Sequence, residues 1–150
     1  MPRNATTWPM IDVEASLVAL PGRRPIFHSE ADFQLALAWE LQTTHPHAAI
    51  RLEYPIGADS KRMFADIWIR DAGSVTAIEL KYKKAPLKTT VGGEQFKLDS
   101  QGAQVQGRFD FIKDICRLEQ LSEVRGWALL LTNDPQYWGD GKGGQIDGDF

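Results

Sequence analysis

The sequence predicts a mixed α/β layer fold (α/β or α+β), in which a mixed central sheet is flanked by helices. The predicted elements follow the order helix, strand, strand, strand, helix, strand (αβββαβ). Within the stretch 62–84, apolar and polar residues alternate on either side of a tight turn at 71–73, which is typical of two adjacent strands. A long helical segment then separates the third strand from the fourth, as a crossover connection requires. Mixed sheets packed under helices satisfy these three observations.

Composition limits the classes of protein to consider. The 150 residues are 43% hydrophobic and 25% charged, which fits one globular domain with a substantial core. No apolar run approaches the length of a membrane span, and the N-terminus lacks the apolar region of a signal peptide. A lone cysteine, Cys116, excludes an internal disulfide and fits a reducing compartment. We therefore expect a cytoplasmic protein with no membrane partner.

Charge is unevenly distributed along the chain. The net charge of −3 argues against binding nucleic acid by bulk electrostatics, but five lysines and one acid fall between 81 and 97. Such a local basic patch can serve a polyanion, although a solvated loop is the simpler explanation of the charge run by itself. We interpret 83–98 as a lysine- and glycine-bearing loop with a possible hinge at Gly92 and Gly93.

The first long helix is predicted from about 29 to 42 or 43. Ser29, with Asp32 three residues later, resembles a capping box, and Pro46 disfavours continuation. Its buried stripe includes Phe33, and Glu30 falls on the same stripe one turn earlier. An acid there either complements the helix dipole or belongs to a site. Residues 1–27 are interpreted as an N-terminal extension.

The second long helix is predicted from Asp99 or Ser100 to about 122. Its expected core-facing side is apolar and comprises Val105, Phe109, Ile112, Ile115 and Cys116. Gln101, Gln104 and Arg108 project the same way, so the start of this helix is expected to border a polar cleft. The strands are predicted at 49–56, on both sides of the 71–73 turn, and at 127–131, where a continuous apolar run favours burial on both faces. Residues 133–150 form a Gly- and Asp-rich tail.

Charged side chains inside the two central strands are the main functional signal. Asp66 lies mid-strand, and the next strand carries Glu79 and Lys81 on one face. Two carboxylates on neighbouring strands can hold Mg²⁺, and an amine beside them can assist the attacking water or steady charge on a phosphate. The acid-x-Lys tripeptide occurs three times in the chain and is uninformative alone. The alternative is a cross-strand Asp66–Lys81 ion pair on a solvated face.

At these residues the chain resembles the PD-(D/E)XK nuclease superfamily, with its restriction-endonuclease-like fold, over roughly 28–132. The resemblance implies that Asp66 and Glu79 bind Mg²⁺ or Mn²⁺ and that Lys81 is the catalytic lysine. Glu30 matches the acid that many members carry on the first helix. Gln101 or Gln104 resembles the glutamine that some members place at the start of the second helix. Ala65 stands where the motif has proline.

The expected activity is therefore metal-dependent hydrolysis of DNA phosphodiester bonds. Arg108, Lys83 and Lys84 are expected to contact phosphates, together with the two glutamines. Double-strand cutting would favour a two-fold homodimer. One alternative is a catalytically inactive module of the same fold that binds nucleic acid or a protein partner. Hydrolysis of a small phosphate ester is a weaker alternative, because the chain has no glycine-rich phosphate loop.

Overall fold

The computed structural model describes residues 10–57, 63–100 and 104–137. Its helices are α1 (Val13–Ala19), α2 (Glu30–Thr44) and α3 (Gln104–Glu119), with short 3₁₀ turns at Leu20–Gly22 and Pro135–Tyr137. Its strands are β1 (Ala49–Pro55), β2 (Phe64–Asp71), β3 (Ser74–Lys83), β4 (Leu87–Val91), β5 (Glu94–Leu98) and β6 (Arg125–Thr132). Within these ranges, no helix is both long enough and apolar enough to cross a membrane.

The central sheet is mixed, as the sequence predicts, with its strands in the order β1-β2-β3-β6. β1, β2 and β3 are antiparallel neighbours, and β3 pairs with β6 in parallel. The turn between β2 and β3 has two residues, Ala72 and Gly73, with φ values of 46° and 84°. Positive φ at both positions matches the twist of the flanking strands. The parallel pairing makes the segment between β3 and β6 a crossover.

Part of that crossover is a hairpin, where the sequence analysis expected a loop over 83–98. β4 and β5 pair in antiparallel fashion, from Leu87 opposite Leu98 to Val91 opposite Glu94. Gly92 and Gly93, with φ values of 57° and 82°, form the two-residue turn and are not a hinge between separate segments. The loop prediction was wrong because Leu87, Phe96 and Leu98 supply an apolar face that the lysines obscure in the sequence.

The larger core lies between the sheet and α2. Apolar side chains of β2 and β3 pack there against the predicted stripe of α2, and residues from α1 and its flanks join them: Ile67, Ile69, Ile78, Leu80, Phe33, Leu37, Leu41, Ile11, Val13 and Leu20. The Ser29 hydroxyl accepts a hydrogen bond from the Asp32 backbone N–H at 3.1 Å, so α2 begins at the predicted cap. A smaller cluster includes Ala77 and Leu118, and it lies on the side of the sheet that α3 covers.

The prediction of which side of α3 faces the core was wrong. Val105 is 80% exposed and Phe109 is 55% exposed, while Cys116 is exposed as well. The buried residues of α3 are Gly107, Asp114 and Leu118. Leu118 packs against Gly126 of β6, where an added Cβ would lie 3.0 Å from the Leu118 Cβ. Helix orientation is thus set by this close contact and by ion pairs of Asp114, which override the amphipathic pattern.

The position of β6 also differs from the prediction of a strand buried on both faces. β6 has a single neighbour, β3, among the described strands. Its residues 127–132 are half-buried throughout. The apolar run therefore reflects packing on both sides of the sheet, since Trp127, Leu129 and Leu131 pack against the larger core and Ala128 packs against the smaller cluster. One edge of the strand has no partner in the described part of the chain.

Candidate active site

The candidate site forms where β2 and β3 separate. Their ladder runs from Asp71 opposite Ser74 to Ile67 opposite Ile78 and then ends. At the next position Asp66 uses its side chain, and its Oδ2 accepts a hydrogen bond from the Leu80 backbone N–H at 2.5 Å. The Asp66 carboxylate therefore takes the place of a β2 backbone carbonyl as the hydrogen-bond acceptor for a β3 backbone N–H.

A second carboxylate binds the same edge of β3 one step further along. Glu30, in the first turn of α2, accepts a hydrogen bond from the Tyr82 backbone N–H through Oε2 at 2.8 Å. Its side chain is exposed, although its position on the helix predicted the buried stripe. Glu30 and Asp66 thus satisfy alternate N–H groups of β3, which fixes the start of α2 beside the two central strands.

Glu79 is the most buried acid of the group, with a side chain only 4% exposed. Burial, and then the negative charge of Asp66, raise the pKa of Glu79 to about 7. Burial likewise raises the pKa of Asp66, and the charges of Glu30 and Glu53 add to that effect. Within the described residues, Glu79 Oε1 has no hydrogen-bond partner. The two carboxyl groups are therefore close together, poorly solvated and short of positive charge.

Lys81 supplies part of that charge and connects the site to α3. The Lys81 amine lies 3.1 Å from Asp114 Oδ2, and its charge lowers the pKa of both Asp66 and Glu79. Arg117 pairs with Asp114 and lies 3.9 Å from Glu79 Oε2. The structure therefore brings Glu30, Asp66, Glu79 and Lys81 together and adds two residues, Asp114 and Arg117, that the sequence analysis missed. The available signal was that Asp114 lies one helical turn before Leu118, with Arg117 three residues after Asp114.

Gln34 and Glu53 were also missed. Gln34 Nε2 donates hydrogen bonds to the Asp66 carbonyl at 2.7 Å and to Glu53 Oε1 at 2.8 Å. In the register of β1 and β2, Leu52 faces Ile67 and Tyr54 faces Ala65, which puts Glu53 opposite Asp66. Glu53 has a φ of 50°, a conformation that costs a non-glycine residue about 1–2 kcal/mol. The sequence carries no signal for the positive φ of Glu53 or for its contact with Gln34, because Glu53 has the position of an ordinary polar residue in an alternating strand.

The residues expected to contact phosphates lie around the crossover. The Lys84 amine donates to the His28 carbonyl at 3.4 Å. Arg108 donates to the Gln136 carbonyl and lies over the Tyr137 ring, 5.8 Å from its centroid. A Cβ added at Gly107 would lie 2.5 Å from the Tyr137 hydroxyl oxygen and 3.0 Å from Lys83 Cε, so Lys83 lies near Arg108. Gln101 and the side chain of Gln104 lie outside the described residues.

The donor set fits a hard divalent cation. Mg²⁺ is commonly held by one or two carboxylates and retains several water ligands. Asp66 and Glu79 provide two carboxylates with raised pKa values, and the unpartnered Glu79 Oε1 is an available oxygen ligand. In the described part of the chain, no group of three His, Cys, Asp or Glu side chains is arranged to hold a metal. Asp66 and Glu79 are the candidate side-chain ligands, because their carboxyl groups influence one another at this point of the sheet.

The site thus combines two partly buried carboxyl groups with raised pKa values, an amine paired with α3 and an acid at the start of α2. Comparison of the chain with protein-family models, with curated proteins and with solved structures gives no match. Function is therefore inferred from the geometry of these side chains.

Proposed function

We propose that this protein is a metal-dependent nuclease that hydrolyses DNA phosphodiester bonds at a site of the PD-(D/E)XK type. The observation that carries the proposal is the convergence of Asp66, Glu79 and Lys81 where β2 and β3 separate. The negative charge of Asp66 raises the pKa of Glu79, and the positive charge of Lys81 lowers the pKa of both acids. Burial of two neighbouring acids costs folding free energy, and clusters of acids with raised pKa values are typical of functional sites.

The proposal includes a restriction-endonuclease-like core. It is supported by the element order of α2, β1, β2, β3, α3 and β6, with the β4–β5 hairpin inserted in the crossover. It is further supported by the mixed sheet, in which β3 and β6 are parallel. Fold alone does not establish activity, so the side chains have to carry the functional argument.

In the proposed mechanism, Asp66 and Glu79 would hold Mg²⁺ or Mn²⁺. The chemistry that such an ion would supply is polarisation of the phosphoryl group and a more acidic water. The charge of the Lys81 amine acts on the pKa of both carboxyl groups, and from this position the amine would hold the attacking water and balance negative charge on the phosphate. Asp114 orients that amine from α3. Glu30 holds β3 in place through the Tyr82 N–H.

A second candidate function is a nucleic-acid or protein-binding module without catalysis. The observation in its favour is the ion pair between Lys81 and the buried Asp114, which can be purely structural. A metal titration by calorimetry separates the two functions. Binding of Mn²⁺ that disappears in Asp66→Asn supports the nuclease, whereas no binding supports the module.

Cleavage of plasmid and linear DNA with Mg²⁺ tests the proposal directly. Asp66→Asn and Glu79→Gln preserve shape while removing a charge, and each is expected to slow cleavage at least about a hundred-fold, because bound metal contributes several kcal/mol to the reaction. Asp71→Asn is the matched control, since Asp71 lies on the same strand at its turn end. Undiminished cleavage in either site variant would remove the proposed site.

A further inference from the structure

The outer face of the β4–β5 hairpin is polar and basic. Lys88 lies directly opposite Lys97, and Thr90 lies directly opposite Gln95. All four side chains are exposed. The other face of the hairpin carries the apolar side chains that pack onto the core, including Phe96 and Leu98.

Two lysines in direct cross-strand register repel each other, and such a pair normally weakens a hairpin. No acid neutralises them within the described residues, since neither Lys88 nor Lys97 takes part in a salt bridge there. The one acid of the hairpin, Glu94, belongs to the opposite face, where its carboxylate lies 2.9 Å from His28 Nε2. The exposed face therefore carries two positive charges without a counterion from the protein.

The position of the hairpin connects this face to the candidate site. β4 follows β3 after a three-residue connection, so the strand that carries Glu79 and Lys81 leads directly into the hairpin. His28 contacts the hairpin twice, through Glu94 and by stacking on Phe96 at 4.5 Å between ring centroids. Glu30, which binds the Tyr82 N–H, is two residues further along the chain.

We propose that the outer face of the β4–β5 hairpin binds the sugar–phosphate backbone of duplex DNA, with Lys88 and Lys97 each neutralising a phosphate. Thr90 and Gln95 lie between the lysines and the turn, where their side chains donate hydrogen bonds to the same backbone. A polyanion resolves the repulsion between the two lysines, and a two-stranded ribbon is narrow enough to lie along a DNA groove. This inference rests on the proposed function and assigns part of the surface that holds its substrate.

The test compares two double variants with the same change in net charge. Lys88→Gln with Lys97→Gln removes the hairpin charges, while Arg70→Gln with Arg125→Gln removes two exposed charges at the opposite end of β3. Binding of a fluorescent 20-base-pair duplex is measured by anisotropy in EDTA over a range of salt concentrations. The hairpin variant is expected to bind about ten-fold more weakly at 0.1 M salt, with a log–log salt slope smaller by roughly two. Lys88→Arg with Lys97→Arg is expected to bind like the wild type.

Three outcomes overturn the inference: no binding by the wild type, no loss in the hairpin variant, or an equal loss in the two double variants. Thermal melting of each variant, followed by circular dichroism, checks that the fold is intact. Cleavage with Mg²⁺ is measured separately. Lysine-dependent binding without any cleavage rejects the nuclease but supports the hairpin surface. If the protein cleaves DNA and the lysine substitutions do not weaken binding, the hairpin surface is rejected and the nuclease proposal stands.

Discussion

Lys81 of β3 and Asp114 of α3 form an ion pair, with 3.1 Å between the amine nitrogen and Oδ2. Asp114 is buried, and it also pairs with Arg117 on the next turn of α3. Because Lys81 follows Glu79 by two residues on β3, the pair sets the position of the amine relative to both carboxyl groups. α3 therefore contributes a charged side chain to the sheet where its sequence predicted an apolar one.

The first prediction concerns that ion pair. Asp114→Asn leaves Lys81 and Arg117 without their buried counterion, and we expect a loss of about 1–3 kcal/mol in the free energy of unfolding. This expected loss is smaller than the loss for a fully buried pair, because the Lys81 side chain is 23% exposed. Urea denaturation measures the change. Asp110→Asn is the control, since Asp110 forms an exposed pair with Lys113 at 3.6 Å. Equal losses in the two variants would contradict the role given to Asp114.

The second prediction concerns stability and pH. The pKa of Glu79 is raised from 4.5 to about 7, so the folded protein retains a proton that the unfolded chain releases above about pH 4.5. Stability contributed by that proton is present below pH 4.5 and is lost as pH rises through 7. We expect Glu79→Gln to have a higher melting temperature than the wild type at pH 8 without divalent metal. At pH 4.5 the difference should vanish. A variant that is less stable at both pH values would contradict the prediction.

The third prediction concerns metal binding and pH. Carboxylates must lose their protons to bind a cation, so Mn²⁺ affinity should rise between pH 6 and pH 8 as Glu79 ionises. Calorimetric titration at the two pH values measures the change. Glu79→Gln should abolish this rise in Mn²⁺ affinity with pH, and Asp71→Asn should leave the rise intact. Affinity that is independent of pH across this range would remove Glu79 from the ligand set.

The fourth prediction concerns the backbone at Glu53. Its φ of 50° suits glycine, whereas a β-branched residue there is strongly disfavoured. We expect Glu53→Val to destabilise the protein by about 1–3 kcal/mol. Glu53→Gly should cost much less, because relief of strain offsets the lost hydrogen bond from Gln34. Chemical denaturation of the two variants compares them, and similar losses in both would show that the side chain matters and the backbone does not.

The fifth prediction concerns the contact between α3 and β6. A Cβ at residue 126 would lie 3.0 Å from the Leu118 Cβ, so Gly126→Ala must displace α3. We expect a loss of about 1–3 kcal/mol on urea denaturation. At Gly22 an added Cβ meets nothing within 4 Å, and Gly22→Ala should leave stability nearly unchanged. If Gly126→Ala leaves the free energy of unfolding unchanged, this contact does not set the position of α3.

The elements that sequence predicted well are those specified by local signals. Ser29 caps α2 by a hydrogen bond within one turn, and the alternation in β2 and β3 has the period of a strand. The proximity of Asp66 and Glu79 follows from the two-residue turn at Ala72 and Gly73, because turn length fixes the register of the ladder that ends just before them.

The parts that sequence did not predict depend on tertiary contacts. The apolar stripe of α3 is a stronger local signal than Asp114, yet the ion pair and the close contact at Gly126 decide which side faces the sheet. Gln34 and Glu53 meet Asp66 only because β1 and α2 pack beside it. Metal binding and DNA cleavage remain predictions from the chemistry of these groups.

The parallel pairing of β3 with β6 has a consequence for assembly of the protein on the ribosome. Asp66 and Glu79 belong to one hairpin of consecutive strands, whereas Asp114 and Arg117 emerge later, on a helix that packs against β6. Before α3 emerges, Lys81 lacks the buried carboxylate of Asp114 that pairs with its amine. The position of the Lys81 amine relative to the two acids therefore depends on the last strand of the sheet, although the acids themselves come from neighbouring strands of one hairpin.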